Sequence, residues 1–501
     1  MYSLRSPRRH AMHRPEVRPH TARALVIGAG AAGRTLASDL IRHPEYGLTV
    51  VGHLDDDVRK RRVNRLPVLG PLAALAETVR VERIDVVIVA IPSLPPVELA
   101  CLVRDADRCG ARVRYLPSFH AAVQRDSRSS DLFAVPPAKL LGREEVNVVR
   151  PSTRAGIRGR RVLVTGAGGS IGGELCRQIR SYGPAALYML DHDESNLHGL
   201  QLQISGSALL DTDELIVADI RDRSRMRQLF ATFHPQVVFH AAAHKHLPLL
   251  ERHPCEGVKS NVLGTKHVVD AAVEYGAERV ILISTDKAAA PTSVLGATKR
   301  LAEMITAARA GHGTAVGSVR FGNVLGSRGS FLHVLAHQIA AHEPVTITDP
   351  DVDRFFMTVE EAVGLVLEAG AMAEAGETFV LDMGEPVRIV SLVETYAALV
   401  GADDVDIRFT GLRSGEKLNE SLFSAAEDRI PTAHPRISAA RGTTMSEDFA
   451  EELDNLLSYA ESNADGQVLE RLARLVPEYD PPALVAPGAA GHIGAPYPDG
   501  F

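Results

Sequence analysis

Arg161-Val162-Leu163-Val164-Thr165-Gly166-Ala167-Gly168-Gly169-Ser170-Ile171-Gly172 is the stretch that decides the fold. A short β-branched run ends in a glycine cluster, and a helix is expected from there to about Ser181. A strand that feeds a helix through Gly166-x-x-Gly169-x-x-Gly172 lets backbone N–H groups approach a pyrophosphate, and the helix N-terminus stabilises the anion. The chain beyond it continues the pattern. Leu187–Leu190 reads as the next strand and closes on Asp191. Leu215–Val217 precedes Ala218-Asp219-Ile220, Val237–His240 runs into Ala241-Ala242-Ala243, and Val280–Ser284 is a further strand. Strands alternating with helices predict a parallel, doubly wound sheet.

A second such opening lies upstream. Ala24–Ile27 leads into Gly28-Ala29-Gly30-Ala31-Ala32-Gly33 and a helix through about Arg42. Leu48–Leu54 is a strand ending at Asp55-Asp56-Asp57, and Asp85–Ile91 is a third apolar run closed by Pro92. A helix from about Pro96 to Cys109 and a strand over Arg112–Leu116 follow. Asp55 lies roughly 20 residues beyond the glycines, which suits ribose binding. No catalytic lysine or acid pattern follows in this half, so an occupied nucleotide site and a structural or regulatory domain both remain open. The expected architecture is α/β, with two Rossmann-like doubly wound parallel-sheet domains, the second carrying a small C-terminal substrate lobe. The expected layout is a disordered basic tail at 1–20, a Rossmann-like domain at 21–117, and a connecting segment at 118–158. A larger domain at 159–440, a helical segment at 441–480 and a disordered tail at 481–501 complete it.

The formal net charge of -7 argues against a general nucleic-acid binder. Cys101, Cys109, Cys176 and Cys255 form no C-x-x-C pair and complete no zinc pattern, so reduced, structural cysteines are expected. No window approaches the ~18 uninterrupted apolar residues of a membrane helix. Arg5, Arg8, Arg9, Arg14 and Arg18 surround no apolar core, so the first residues are not read as a secretory signal.

In the larger domain the cofactor positions are Gly166, Gly169, Ser170, Ile171, Gly172, Asp191, Asp219, Ile220, Ala241 and Ala242. Asp191 ends the second strand, where an acid accepts hydrogen bonds from ribose hydroxyls. Asp193 and Glu194 would repel a 2′-phosphate, so NAD is favoured over NADP. Asp219 suits the adenine edge, or alternatively a helix cap. The small residues Ala241–Ala243 leave room for a nicotinamide, and Lys245 and His246 face the sugar or its phosphates, or are merely solvated. His240, His244 and His246 have mixed spacing and no fourth ligand, so no metal is expected.

These motifs, together with Ser284-Thr285-Asp286-Lys287, Leu295 to Lys299, Arg320 to Gly326, Arg354-Phe355-Phe356-Met357-Thr358, Leu381 to Gly384 and Gly411 to Lys417, carry a resemblance. The chain resembles the nucleotide-sugar dehydratase family of bacterial polysaccharide biosynthesis, the UDP-N-acetylglucosamine 4,6-dehydratases, which are extended short-chain dehydrogenases. The resemblance runs over roughly residues 21 to 440. Gly28 to Asp57 and Leu141-Gly142-Arg143-Glu144 match the extra N-terminal domain of the long members. Those members usually carry membrane helices first; none is seen here, so a cytoplasmic form without a membrane anchor is expected. Most short-chain reductases place a tyrosine four residues before the lysine that is Lys299. Here the position is Leu295, which cannot move a proton and resembles the long members, which tend to have methionine there.

The resemblance implies a UDP-N-acetylhexosamine as substrate and a 4-keto-6-deoxy sugar as product, for glycan, polysaccharide or secondary-metabolite biosynthesis. It implies catalytic roles for Thr285, Asp286, Lys287 and Lys299, and a homo-oligomer is expected. Lys287 is read as the base at C5, with a pKa lowered by burial and nearby cations. Asp286 is read as the acid at O6. Thr285 bonds the C4 oxygen, and Lys299 binds the nicotinamide ribose. Asn323, Arg354 and Arg413 would hold the UDP moiety, the alternative for each arginine being a structural salt bridge. The acceptor of the C4 hydroxyl proton is left open between Thr285 with a water and Lys287 itself. C4 epimerisation and non-catalytic nucleotide-sugar or NAD binding are the competing readings.

Overall fold

The computed structural model describes residues 22–42, 47–91 except 58 and 60, 94, 102, 105, 106, 108–115, 149–206, 209–327, 330–341, 343–400, 402, 405–441 and 445–479. The two expected tails, most of the connecting segment with Leu141 to Glu144, Cys101, and much of the helix expected over Pro96–Cys109 lie outside them. The chain divides into two compact units, Met1–Gly142 with Ala398–Asp403, and Arg143–Ala397 with Asp404–Phe501.

In the first unit, β1 (Ala22–Ile27), α1 (Ala31–Arg42), β2 (Leu48–Leu54), β3 (Arg62–Val63), β4 (Leu66–Gly70), α2 (Leu75–Val81), β5 (Val86–Val89) and β6 (Arg112–Tyr115) succeed one another. The sheet order is β3-β4-β2-β1-β5-β6, parallel except where β3 meets β4. The central strands β1 and β5 are buried along nearly their whole length. That is why they read as continuous apolar runs rather than alternating ones. The strand order reverses between β1 and β5, beside the first glycine loop.

The second unit opens with α3 (Pro151–Ile157), β7 (Arg161–Thr165), α4 (Ser170–Ser181), β8 (Ala186–Asp191), α5 (Glu194–Ser205), β9 (Leu215–Val217), α6 (Arg223–Phe233) and β10 (Val237–His240). Next come α7 (Leu247–Arg252), α8 (Pro254–Gly257), a π-helical turn over Val258–Leu263, α9 (Gly264–Glu274), β11 (Arg279–Ile283), α10 (Val294–Ala307) and β12 (Ala315–Arg320). The remaining elements are β13 (Asn323–Leu325), α11 (Phe331–Ala340), β14 (Val345–Ile347), β15 (Asp353–Arg354), β16 (Phe356–Thr358), α12 (Val359–Met372), β17 (Ala375–Leu381), β18 (Val387–Arg388), α13 (Ile389–Val400), β19 (Ile407–Phe409), β20 (Asp428–Pro431), β21 (Ile437–Arg441), α14 (Phe449–Glu461) and α15 (Asp465–Leu475).

The main sheet is ordered β20-β21-β17-β12-β11-β10-β7-β8-β9. Its strands from β9 to β17 are parallel, and β21 and β20 add an antiparallel edge. Small two-stranded pairs, β13–β16, β14–β19 and β15–β18, build the lobe beyond it. One face of the sheet buries Val162, Val164, Phe239 and Ile281, the other Leu163, Val238 and Val280, as the alternation of side chains along each strand requires. Helix starts are set locally: the side chains of Asp193, Asp222, Ser293 and Thr358 accept from the backbone N–H three residues on. Asp222 is therefore the cap of α6, and Asp219 is not. A further apolar cluster joins α10 and the π turn to α14 and α15 through Val262, Leu295, Leu301, Leu453 and Leu472. Cys109, Cys176 and Cys255 are free thiols.

Candidate active site

The strand order of the larger sheet reverses between β7 and β10, which opens a crevice at their carboxyl ends. Gly166 ends β7 with φ +66°, and a Cβ there would stand 2.7 Å from the Cα of Ala242. The Ala241–Ala242 backbone thus lies directly on the glycine loop. A Cβ on Gly172 would collide with the Gly166 carbonyl oxygen, so α4 can start this close only with glycine there. No side chain caps α4, whose N-cap residue is Gly169 and whose first residues are Ser170 and Ile171. Buried Asp191 takes Gly168 N–H on Oδ2 at 2.8 Å and Asp193 N–H on Oδ1 at 3.0 Å. Its carboxylate therefore anchors the glycine loop as well as ending β8. A glycine-rich loop, an uncapped helix start and an acid closing the second strand fit a dinucleotide.

Around this crevice the other expected residues are placed as follows. Ile220 is buried, and its Cδ1 fills the space that a Cβ on Gly264 would need. Asp219 pairs with the Arg221 guanidinium at 2.7 Å. Ala241 and Ala242 are partly exposed, and Lys245 and His246 are exposed. His240 is buried between the hydroxyls of Thr165, 2.7 Å from Nδ1, and Thr265, 3.0 Å from Nε2. Burial, with Lys299 nearby, pushes its pKa down to about 3. His240 is thus a neutral structural residue, and no three His, Cys, Asp or Glu side chains among the described residues could hold a metal. Asn261 is a residue the sequence did not announce. From the π turn it accepts His244 N–H on Oδ1 at 2.8 Å, and it donates to Thr298 Oγ1 at 3.1 Å. It ties the loop after β10 to α10. π turns concentrate at functional sites, but no sequence pattern marks this one.

The reactive run follows β11. Asp286 is fully buried, and its Oδ1 accepts from Thr285 Oγ1 at 2.9 Å and from Lys287 Nζ at 3.0 Å. Its Oδ2 is buried without a hydrogen-bond partner. A Cβ on Gly322 would lie 3.1 Å from that oxygen, so glycine there leaves it room. The sequence suggests that Asp286 meets the sugar directly. Instead it lies beneath Thr285 and Lys287, which are partly exposed, and its protons must pass through them. Lys287 Nζ is also 3.4 Å from Asn323 Oδ1 and 3.5 Å from Glu420 Oε1. The expected lowering of its pKa is not found. Burial opposes its charge, but Asp286 and Glu420 outweigh burial and the repulsion of Arg354, so the pKa is raised.

Lys299, one turn beyond Leu295 on α10, is buried and donates to the Ile283 carbonyl at 2.5 Å. Burial lowers its pKa to about 8 against the pull of Glu303. Beneath the run, Arg320 and Arg300 are buried with Glu303 and Glu427, and Ser284 Oγ donates to Glu303 at 2.5 Å. This cluster fixes the strand end that presents Thr285.

The two arginines expected on the UDP moiety part ways. Arg354 is buried and donates to Glu416 Oε1 at 3.0 Å and to the carbonyls of Asp353, Lys417 and Leu418. Its two terminal nitrogens are taken up by the 416–418 loop and the Asp353 carbonyl, the arrangement of the structural alternative. The Arg413 side chain is exposed. Glu420 was missed because the sequence shows only one more acid on a loop; its partner Lys287 is far away along the chain.

Comparison with known proteins agrees with this architecture. The family model described as polysaccharide biosynthesis protein matches residues 162–442, and one described as a CoA-binding domain matches residues 2–117. The probable polysaccharide biosynthesis protein EpsC of Bacillus subtilis (strain 168) is 41% identical over 427 residues, covering 83% of this chain and 71% of the relative. A UDP-N-acetylglucosamine 4,6-dehydratase (inverting) of Campylobacter jejuni is 32% identical, over 54% of this chain and 80% of the relative. A UDP-glucose 4-epimerase of Rickettsia rickettsii is 31% identical, over 53% and 78%. Among solved structures, Pen from Bacillus thuringiensis is similar with a TM-score of 0.52 and 30% identity, over 57% of this chain and 89% of that one.

Proposed function

This chain belongs to the polysaccharide biosynthesis protein family, and we propose that it is an NAD-dependent 4,6-dehydratase of a UDP-linked N-acetylhexosamine, with UDP-N-acetylglucosamine the first candidate. The proposed catalytic domain is residues 159–440. One observation carries the reading: the bonded run Thr285–Asp286–Lys287 at the end of β11, with Leu295 where a tyrosine would otherwise move protons. NAD, when bound along the Gly166–Gly172 loop with its ribose on Asp191, supplies the hydride acceptor for C4 and the donor for C6.

The chain's own residues handle the protons. Thr285 Oγ1 takes the C4 hydroxyl proton as it passes its own to Asp286 Oδ1, 2.9 Å away. Lys287 Nζ, once it has given up its own ammonium proton, removes the C5 proton, made acidic by the C4 ketone, later returns it to C5 and regains the proton it gave up. Asp286 sends its proton back through Thr285 to O6 as the C6–O6 bond breaks and water leaves. The proton lost from O4 thus ends in the water. Lys299 holds the nicotinamide ribose, Arg413 and Asn323 hold the UDP moiety, and Lys245 and His246 face the sugar or its phosphates.

C4 epimerisation is the second reading, and the kinship to UDP-glucose 4-epimerases favours it. Both readings use the Thr285–Asp286 relay at O4; epimerisation returns that proton to O4 and needs no base at C5, whereas Lys287 stands in the run as such a base. Incubating the purified protein with UDP-N-acetylglucosamine separates the two: dehydration gives a product lighter by one water, epimerisation a product of unchanged mass.

A further inference from the structure

We propose that Glu420 is the positioning residue that accepts the ammonium proton of Lys287 during turnover, and so frees Lys287 to act at C5. This rests on the dehydratase reading of the same site. Lys287 Nζ faces three acceptors: Asp286 Oδ1, Asn323 Oδ1 and Glu420 Oε1. An amide oxygen does not take a proton near neutral pH. Asp286 already receives the proton from O4. Glu420 is the carboxylate left, its side chain 3% exposed. Its Oε2 is buried without a hydrogen-bond partner, 3.6 Å from Lys417 Nζ. It is also held in place. Arg354 straps the Lys417 and Leu418 carbonyls to β15, Asn419 Nδ2 donates to Asp353 Oδ2 at 2.8 Å, and Thr292 Oγ1 donates to the Gly415 carbonyl at 3.0 Å.

The proton count closes. At rest Lys287 is an ammonium between two carboxylates. The O4 proton neutralises Asp286. The Lys287 proton moves to Glu420, leaving the amine lone pair that takes the C5 proton. After Asp286 has protonated O6 through Thr285, and Lys287 has returned its proton to C5, Glu420 gives its proton back. The ammonium and both carboxylates are restored, and one water has been released.

The test uses the full chain in single turnover with UDP-N-acetylglucosamine in deuterated solvent. It follows reduced nicotinamide by absorbance and C5 deuterium by mass spectrometry. Glu420→Gln is expected to form reduced nicotinamide normally but to exchange C5 hydrogen slower by about 10²-fold or more. Its residual exchange should rise with pH as Lys287, now facing Asp286, Asn323 and Arg354, loses its proton to solvent. A carboxylate that only held the ammonium would act oppositely: removing its charge would ease deprotonation and speed exchange. Exchange at or above the wild-type rate in Glu420→Gln, with exchange lost in Lys287→Ala, overturns the role of Glu420 and leaves the base assignment standing. Exchange kept in Lys287→Ala overturns the base assignment, and this proposal with it. If the glutamine variant does not fold, Glu420→Asp takes its place: slowed exchange with intact hydride transfer supports the proposal, and wild-type exchange overturns it.

Discussion

At the scale of single residues, the run 285–287 divides the labour by depth, with the hydroxyl and the amine partly exposed and the acid behind them. Thr285→Val should block the path from O4 and cut reduction of the nicotinamide by about 10²–10⁴-fold, with substrate binding little changed. Stopped-flow absorbance and equilibrium binding check the two halves of that statement. Leu295→Met should be nearly neutral, since neither side chain transfers protons and such swaps cost under about 1.5 kcal/mol. Lys299 adds a pH dependence. Its pKa near 8 means the ammonium is present below that pH and lost above it, so NAD should dissociate more readily as pH rises through about 8. Calorimetric titration with NAD well below and well above that pH measures the change; an affinity that grows with pH would contradict the ribose role. The run itself was legible because its titratable residues are contiguous. The direction of the Lys287 shift was not, because burial lowers it while Asp286, and after it Glu420, which only tertiary folding brings close, together raise it by more.

At the scale of elements, the glycine loops, their strands and the helix starts were legible because each rests on local chemistry: β-branched runs, close approach at Gly172, and capping by Asp193 or Ser293. The π turn carrying Asn261 and the loop strapped by Arg354 were not, because their partners come from distant segments. The contrast between the arginines is testable. Arg354→Ala removes a buried partner of Glu416 and frees the loop bearing Glu420. It should cost about 3 kcal/mol of stability, the low end for breaking a buried pair because Glu416 is partly exposed. It should also lower kcat more than it raises KM. Arg413→Ala should do the reverse, raising KM and leaving the melting temperature alone. If Arg354→Ala only raises KM with an unchanged melt, the strap is the wrong description.

At the scale of the whole molecule, each unit repeats one device. Asp55 Oδ2 accepts from Ala29 N–H at 2.7 Å, as Asp191 does from Gly168 N–H. Among the described residues, only the second unit adds a Thr-Asp-Lys run and a lysine like Lys299. Asp191→Ala should therefore strip bound NAD(H) by leaving buried N–H groups unmet and a ribose acceptor missing, a loss of about 1–3 kcal/mol. Asp55→Ala should leave the NAD(H) content unchanged, read by chromatography of the denatured protein. Among the described residues no helix is long and apolar enough to cross a membrane. The central claim is that this site eliminates water from the sugar, and product analysis reads it directly. Purified protein incubated with UDP-N-acetylglucosamine in deuterated water should give a nucleotide sugar lighter by one water apart from the deuterium gained at C5, as seen by mass spectrometry and NMR. A product of unchanged mass with an inverted C4, or no conversion and no C5 exchange, would contradict it.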